Sequence, residues 1–189
     1  MKLHFLGGAG EVGRSACLVE TAHVNVLMDC GIKATHPQEF PMFAKAKQPT
    51  AIALSHAHLD HSGALPLFFK HTGVPVLATF PSVPLVNLLL EDTRKIADQD
   101  NTPPYFSGAD LKNLQRHIRP LPYNHAYDFS DGSQAEFFDA GHILGSAQVL
   151  YRSKEGSVLY TGDFNTTETQ LHLPAHAPKE EVDVLVTES

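Results

Sequence analysis

The residues with the most to offer chemically lie between positions 56 and 61. His56-Ala57-His58-Leu59-Asp60-His61 places four potential metal ligands within six residues. They follow an apolar run over 50–55 that reads as a short strand. On an extended segment alternate side chains point the same way, so His56 and His58 can converge on one cation. The chain then turns, and Asp60 and His61 can face a second cation nearby. Imidazole and carboxylate are the ligands that zinc takes in hydrolytic sites. The bland alternative is a solvated histidine-rich turn, and the position at a strand end before a helix weighs against it. Two later segments complete the set. His142 sits in Ala140-Gly141-His142-Ile143-Leu144-Gly145-Ser146, between predicted strands over 135–139 and 148–152. Asp163 sits in Tyr160-Thr161-Gly162-Asp163-Phe164, where a strand over 157–160 runs into a glycine-flanked carboxylate. Each alone is ordinary, because a loop histidine usually hydrogen-bonds and Gly-Asp is a common turn. Together they supply a further imidazole and a carboxylate able to bridge two metals.

Such ligands must be presented by a scaffold, and the rest of the pattern describes one. Alternation over 2–6 predicts a strand, and β-rich runs over 16–21 and 24–28 predict a hairpin. Residues 37–49 read as loop with room for a short helix. A helix is predicted over 63–71, closing on Gly73, and a strand over 74–79. From 81 to 99, Leu85, Leu88, Leu89 and Ile96 fall on one helical face. After a break at Pro103-Pro104, Ser107 caps a further helix, with Asp110 three residues on and Leu111, Leu114 and Ile118 on one face. From Pro120 the chain returns to strands, over 121–123, 127–129, 135–139, 148–152, 157–160 and 182–187, with a hairpin turn at 154–156. There is no internal repeat. This order suggests two sheets with helices outside, an αββα sandwich in one domain over 1–189, rather than a single parallel sheet.

Composition narrows the classes. The 189 residues are enough for one domain with a sizeable core. No apolar run approaches the length of a membrane span, and residues 1–6 lack the pattern of a signal peptide, so a cytoplasmic protein without a membrane partner is expected. The net charge of −7 argues against a bare nucleic-acid binder and leaves a metal enzyme open, since cations offset part of the acidic excess. Cys17 and Cys30 read as two buried thiols in a reducing compartment. No Cys-x-x-Cys pair supports a metal-ligand reading of Cys30. Of the twelve histidines, His4, His23, His36, His71, His117, His125, His172 and His176 fall in no ligand spacing and read as structural or solvated.

Gly8-Ala9-Gly10-Glu11-Val12-Gly13 matches a dinucleotide-binding fingerprint, but that motif needs a helix after it. Here the β-rich run of 16–21 follows, so the segment reads as a tight loop near the site. The ordered set Asp29, His56-x-His58-x-Asp60-His61, His142 and Asp163 resembles the metallo-β-lactamase superfamily. The glycine-rich run from Gly7 through Ser15, Met28-Asp29-Cys30-Gly31, and the segments 55–66, 140–147 and 160–164 are similar to its β-CASP branch of RNA-processing nucleases. The resemblance runs over essentially the whole chain.

That resemblance implies a hydrolase of RNA phosphodiesters using two zinc ions. His56, His58 and His142 would hold one, Asp60 and His61 the other, and Asp163 would bridge. Asp29 would orient the histidine ligands, Asp60 would also orient or deprotonate the attacking water, and Glu188, in the closing Thr187-Glu188-Ser189, would match a further acidic motif. In that branch an inserted cap supplies a general-acid histidine, and a returning segment supplies a last ligand to the second zinc. The chain therefore reads as the N-terminal part of such a nuclease, its sandwich incomplete at the C-terminus, weak or inactive alone, with an open face that favours self-association. Nothing gives a reason to expect His125 to replace the missing acid. Other superfamily readings are a glyoxalase-type thioester hydrolase and a DNA-processing nuclease; a non-catalytic scaffold is disfavoured because all six available ligands are present.

Overall fold

The computed structural model describes residues 1–35, 37–45, 47–69 and 73–188. Strands β1 (Lys2–Gly7), β2 (Ala16–Glu20), β3 (Asn25–Met28), β4 (Ala51–Ala53), β5 (Val76–Thr79) and β6 (Ile118–Leu121) form one sheet in sequential order. The first three are antiparallel, and β3 to β6 are parallel. The parallel crossovers carry helices α1 (Leu59–Ser62), α2 (Leu65–Phe68), α3 (Ser82–Gln99) and α4 (Gly108–His117). The second sheet runs β11-β10-β9-β8-β7, comprising β7 (Ala126–Asp128), β8 (Gln134–Asp139), β9 (Ala147–Ser153), β10 (Gly156–Tyr160) and β11 (Val184–Val186).

Strand alternation builds two cores. Leu18, Leu27, Ile52 and Leu54 face the helices, where they meet Leu65, Val86, Leu90 and Leu114. Their neighbours Cys17, Val19, Val26, Met28, Ala51 and Ala53 face the second sheet, where they meet Phe137, Val149, Tyr151 and Val158. A one-residue shift in any of these strands would exchange the two faces. The outer face of the second sheet buries Phe138, Leu150 and Leu159 with Val182 packed against them. Among the described residues no helix lies on that face.

Three local expectations differ. In α3 the buried side chains are Ser82, Val86 and Leu90, whereas Leu88 is 59% and Ile96 49% exposed. The face is turned because the helix packs by Val86 and Leu90, with Leu85 and Leu89 on its flank. The helix predicted over 63–71 is two short helices, α1 starting earlier at Leu59 and α2 ending at Phe68; positions 70–72, like His36 and Ser189, lie outside the described residues. Ile118 is the first residue of β6 rather than the end of a helical face, and it pairs with Val76. The Ser107 cap forms as read, with Asp110 closing a reciprocal capping box. No helix is long and apolar enough to cross a membrane among the described residues.

Candidate metal centre

The polar ends of five strands meet at one edge of the sandwich. Asp29 follows β3, the His56–His61 run follows β4, His142 lies between β8 and β9, and Asp163 follows β10. The β8–β9 loop is tied down from the first sheet: Gly145 C=O accepts from Thr79 Oγ1 at 2.6 Å and Ser82 Oγ at 3.0 Å. Ser146 Oγ accepts from the backbone N–H of His142 and Ile143. At Gly145, with φ +83°, an added Cβ would lie 2.8 Å from Ser82 N, so glycine alone permits this approach.

One ligand atom each from His56, His58, His142 and Asp163 lies within 4.8 Å of the others. His58 Nδ1 is 3.1 Å from His56 Nε2 and 3.4 Å from His142 Nε2. Asp163 Oδ2 is 3.8 Å from His56 Nε2 and 3.7 Å from His142 Nε2. A tetrahedral zinc with Zn–N near 2.05 Å has ligand–ligand edges of about 3.3 Å. The spacings and the donor set, three imidazoles and a carboxylate, fit that ion. The other oxygen of Asp163, Oδ1, is 3.1 Å from His61 Nε2, and Asp60 Oδ2 is 3.8 Å from the same nitrogen. Asp163 thus presents one oxygen to each of two ligand groups.

Burial and charge set the protonation of the metal-free site. Burial, reinforced by the neighbouring His61, pushes His56 down to about 3. Burial also opposes charge on His61, but Asp29 and Asp163 together outweigh it and raise this histidine to about 10. The hydrogen bond from His61 leads the effects that hold Asp163 at about 2. Desolvation lowers His142.

Asp29 is fully buried, in a left-handed conformation with φ 60° that turns its carboxylate back under the site. Its Oδ1 accepts the Ser55 N–H at 2.7 Å; its Oδ2 meets Ser55 Oγ at 2.7 Å, His61 Nδ1 at 2.7 Å and Tyr160 OH at 2.8 Å. Asp29 reaches His61 directly, and among the described hydrogen bonds it reaches His56 only through Ser55. Ser55 and Tyr160 meet this carboxylate without standing out in the sequence. Their signal was a polar side chain ending an otherwise apolar strand, which ordinary sheets show as well.

Glu188 does not join the metal-ligand group; its carboxylate accepts from the backbone N–H of Phe164 at 2.8 Å, beside Asp163. Cys17 and Cys30 are free, buried thiols, raised by burial to about 12 and well above the ordinary range respectively. The glycine-rich loop before β2 closes on the site through the Ser15 N–H to Asp60 C=O bond. His4 pairs with Glu20, and the Nδ1 atoms of His117 and His125 bond main-chain carbonyls.

A match to the family described as the metallo-beta-lactamase superfamily extends over residues 9–188, nearly the whole chain. The chain belongs to the metallo-β-lactamase superfamily. Among curated members, the "Probable RNase MJ4" of Methanocaldococcus jannaschii is 40% identical over all of this chain and 45% of its own length. The transcription termination factor FttA of the same organism is 34% identical, with 31% of its length matched. Integrator complex subunit 11 of Danio rerio is 32% identical, with 34% matched. The chain thus spans less than half the length of these relatives. A crystal structure of an Enterococcus faecalis protein of unknown function shares the superfamily fold, with a TM-score of 0.64 at 22% identity over 87% of this chain and 43% of that one.

Proposed function

We propose that this chain is the metallo-β-lactamase part of an RNA-cleaving hydrolase of the β-CASP branch, holding two zinc ions. The observation that carries the reading is Asp163, whose two oxygens face two separate ligand groups. His56, His58 and His142 would hold the first ion, and Asp60 and His61 the second. When bound, such a pair would lower the pKa of a water and offset the charge of a phosphodiester. Asp60, 38% exposed beside His61, is positioned to accept a proton from the attacking water. Glu188 steadies the backbone beside Asp163. A groove of about 1010 Å³ runs from Asp60 and His61 between the glycine-rich loop and β11. The name of the Methanocaldococcus jannaschii relative, a probable RNase, supports RNA as substrate.

The first group offers three imidazoles and the second one, so the second ion is held more weakly and turnover by these residues alone is slow. Residues 1–189 form one domain unit in this reading, and RNA turnover belongs to the whole protein. The two unpaired thiols of this chain, Cys17 and Cys30, support a cytoplasmic setting. Elemental analysis after mild dialysis is expected to return between one and two zinc per chain, and about none at the first site in His58→Ala. Single-stranded RNA should be cleaved in a zinc-dependent manner, and Asp163→Ala should abolish cleavage. A folded chain without zinc and indifferent to His58→Ala overturns the metal assignment. Turnover of thioesters, or of DNA with RNA left intact, replaces the substrate.

A further inference from the structure

We infer that Ser55 is a positioning residue that fixes the tautomer of His56, so that one buried carboxylate, Asp29, aims a ligand at each of the two metal positions. The inference rests on the metal reading above and concerns how the ligands are held.

Ser55 Oγ carries a single proton. The hydroxyl lies 2.7 Å from Asp29 Oδ2 and 3.0 Å from His56 Nδ1. A carboxylate oxygen can only accept, so the Ser55 proton goes to Asp29. The lone pairs that remain on Oγ can only accept, so His56 Nδ1 must carry its proton and donate it. That leaves Nε2, the atom 3.1 Å from His58 Nδ1, as a bare lone pair facing the ligand group. On the other branch His61 Nδ1 donates directly to Asp29 Oδ2 at 2.7 Å, which turns its Nε2 toward Asp163, where the Nε2 proton is the one a metal would displace. Asp29 therefore orders one imidazole by contact and another through a hydroxyl.

The relay is sealed. Ser55 and His56 are both fully buried. Gly162, at φ +54°, packs so closely that a Cβ there would lie 2.6 Å from Ser55 Cβ and 2.7 Å from its hydroxyl. Ser55 C=O accepts from Ala147 N–H at 2.7 Å, so the residue is fixed from the second sheet as well. Loss of the hydroxyl leaves both Asp29 and His56 short of a partner. Tyr160 OH also donates to Asp29 Oδ2, at 2.8 Å, but no ligand lies beyond it, which makes it the control.

Two measurements test this. Long-range proton–nitrogen NMR on the wild-type chain, metal-free and zinc-loaded, reads the His56 ring nitrogens; protonated Nδ1 and unprotonated Nε2 are expected. Zinc affinity by chelator competition, with the cobalt absorption spectrum as readout of geometry, is compared across variants. Ser55→Ala should weaken zinc by about 10- to 100-fold, the usual range for a lost partner of a metal-bound imidazole. Ser55→Thr, which keeps the hydroxyl, should recover most of the loss, and Tyr160→Phe should cost less than Ser55→Ala. A protonated Nε2 in metal-free His56, or a Ser55→Ala chain with wild-type affinity and spectrum, overturns the inference while leaving the metal reading intact. A wild-type chain that takes up no zinc overturns the metal reading instead, and the metal-free tautomer still decides the role of Ser55.

Discussion

At the scale of single residues, the site is built from histidines that share a motif but not an environment. His56 is depressed to about 3, burial being the largest cause. Its unfolded state, titrating near 6.5, binds a proton that the folded state refuses, so stability is lost as pH falls from about 6.5 to 3. His61 is raised to about 10 by Asp29 and Asp163 against the cost of burial. Its contribution is fully present below about 6.5 and is lost as pH rises toward 10. Asp163, held at about 2, contributes above about 3.8 and loses that contribution as pH falls through 2. The metal-free chain should therefore be most stable near pH 6.5, with thermal midpoints falling on both sides. Unfolding in chelator across pH 4 to 9 checks this, and Asp163→Asn should flatten the alkaline limb. On the zinc reading proposed above, uptake of the ion displaces the proton shared by His61 and Asp163, so calorimetry in buffers of different ionisation heat should report proton release.

At the scale of elements, the strands of the two sheets deliver ligands and the helices cover the first sheet from behind. α4 lies in that outer layer, and its capping box satisfies orphan N–H groups at its first turn. Ser107→Ala should cost about 0.5–2 kcal/mol in denaturant unfolding, with zinc content unchanged. Gly162→Ala is the contrasting case. It forces a side chain into the left-handed region and against Ser55. We expect a loss of about 1–3 kcal/mol together with weakened zinc, because the same turn carries Asp163. A variant that lost stability but bound zinc like the wild type would separate the turn from the site.

At the scale of the whole molecule, the candidate metal centre joins the two sheets. His56, His58, Asp60 and His61 come from the first and His142 and Asp163 from the second. On the zinc reading proposed above, an ion that binds only the folded arrangement stabilises it by mass action, so chelation should lower the thermal midpoint in proportion to the logarithm of free zinc. The groove beside the site opens between two edge strands, β1 and β11, where Phe5 is 49% and Leu185 57% exposed. Unpaired edges with apolar side chains favour association with a second chain. Sedimentation velocity at rising concentration should show a dimer that Leu185→Lys and Phe5→Glu together disperse, and a monomer throughout would remove this expectation.

The sequence by itself determined the two-sheet architecture and most of the strands, and it singled out the His56, His58, His142 and Asp163 side chains that the fold gathers. Each rests on a local signal: His-x-His spacing after an apolar run, alternation in 16–21 and 24–28, a capping box at Ser107. Only the tertiary structure decided which face of α3 is buried, because Leu88 and Val86 are equally apolar and a helix turns to whichever stripe its sheet can accept. It also decided how the candidate ligands are held. Asp29, Ser55, His61 and Tyr160 meet around one carboxylate although 131 positions separate Asp29 from Tyr160. Nothing in the spacing of those residues requires them to touch. The buried end of β3 brings a charge that must find donors, and the donors within reach are fixed by how the second sheet closes on the first.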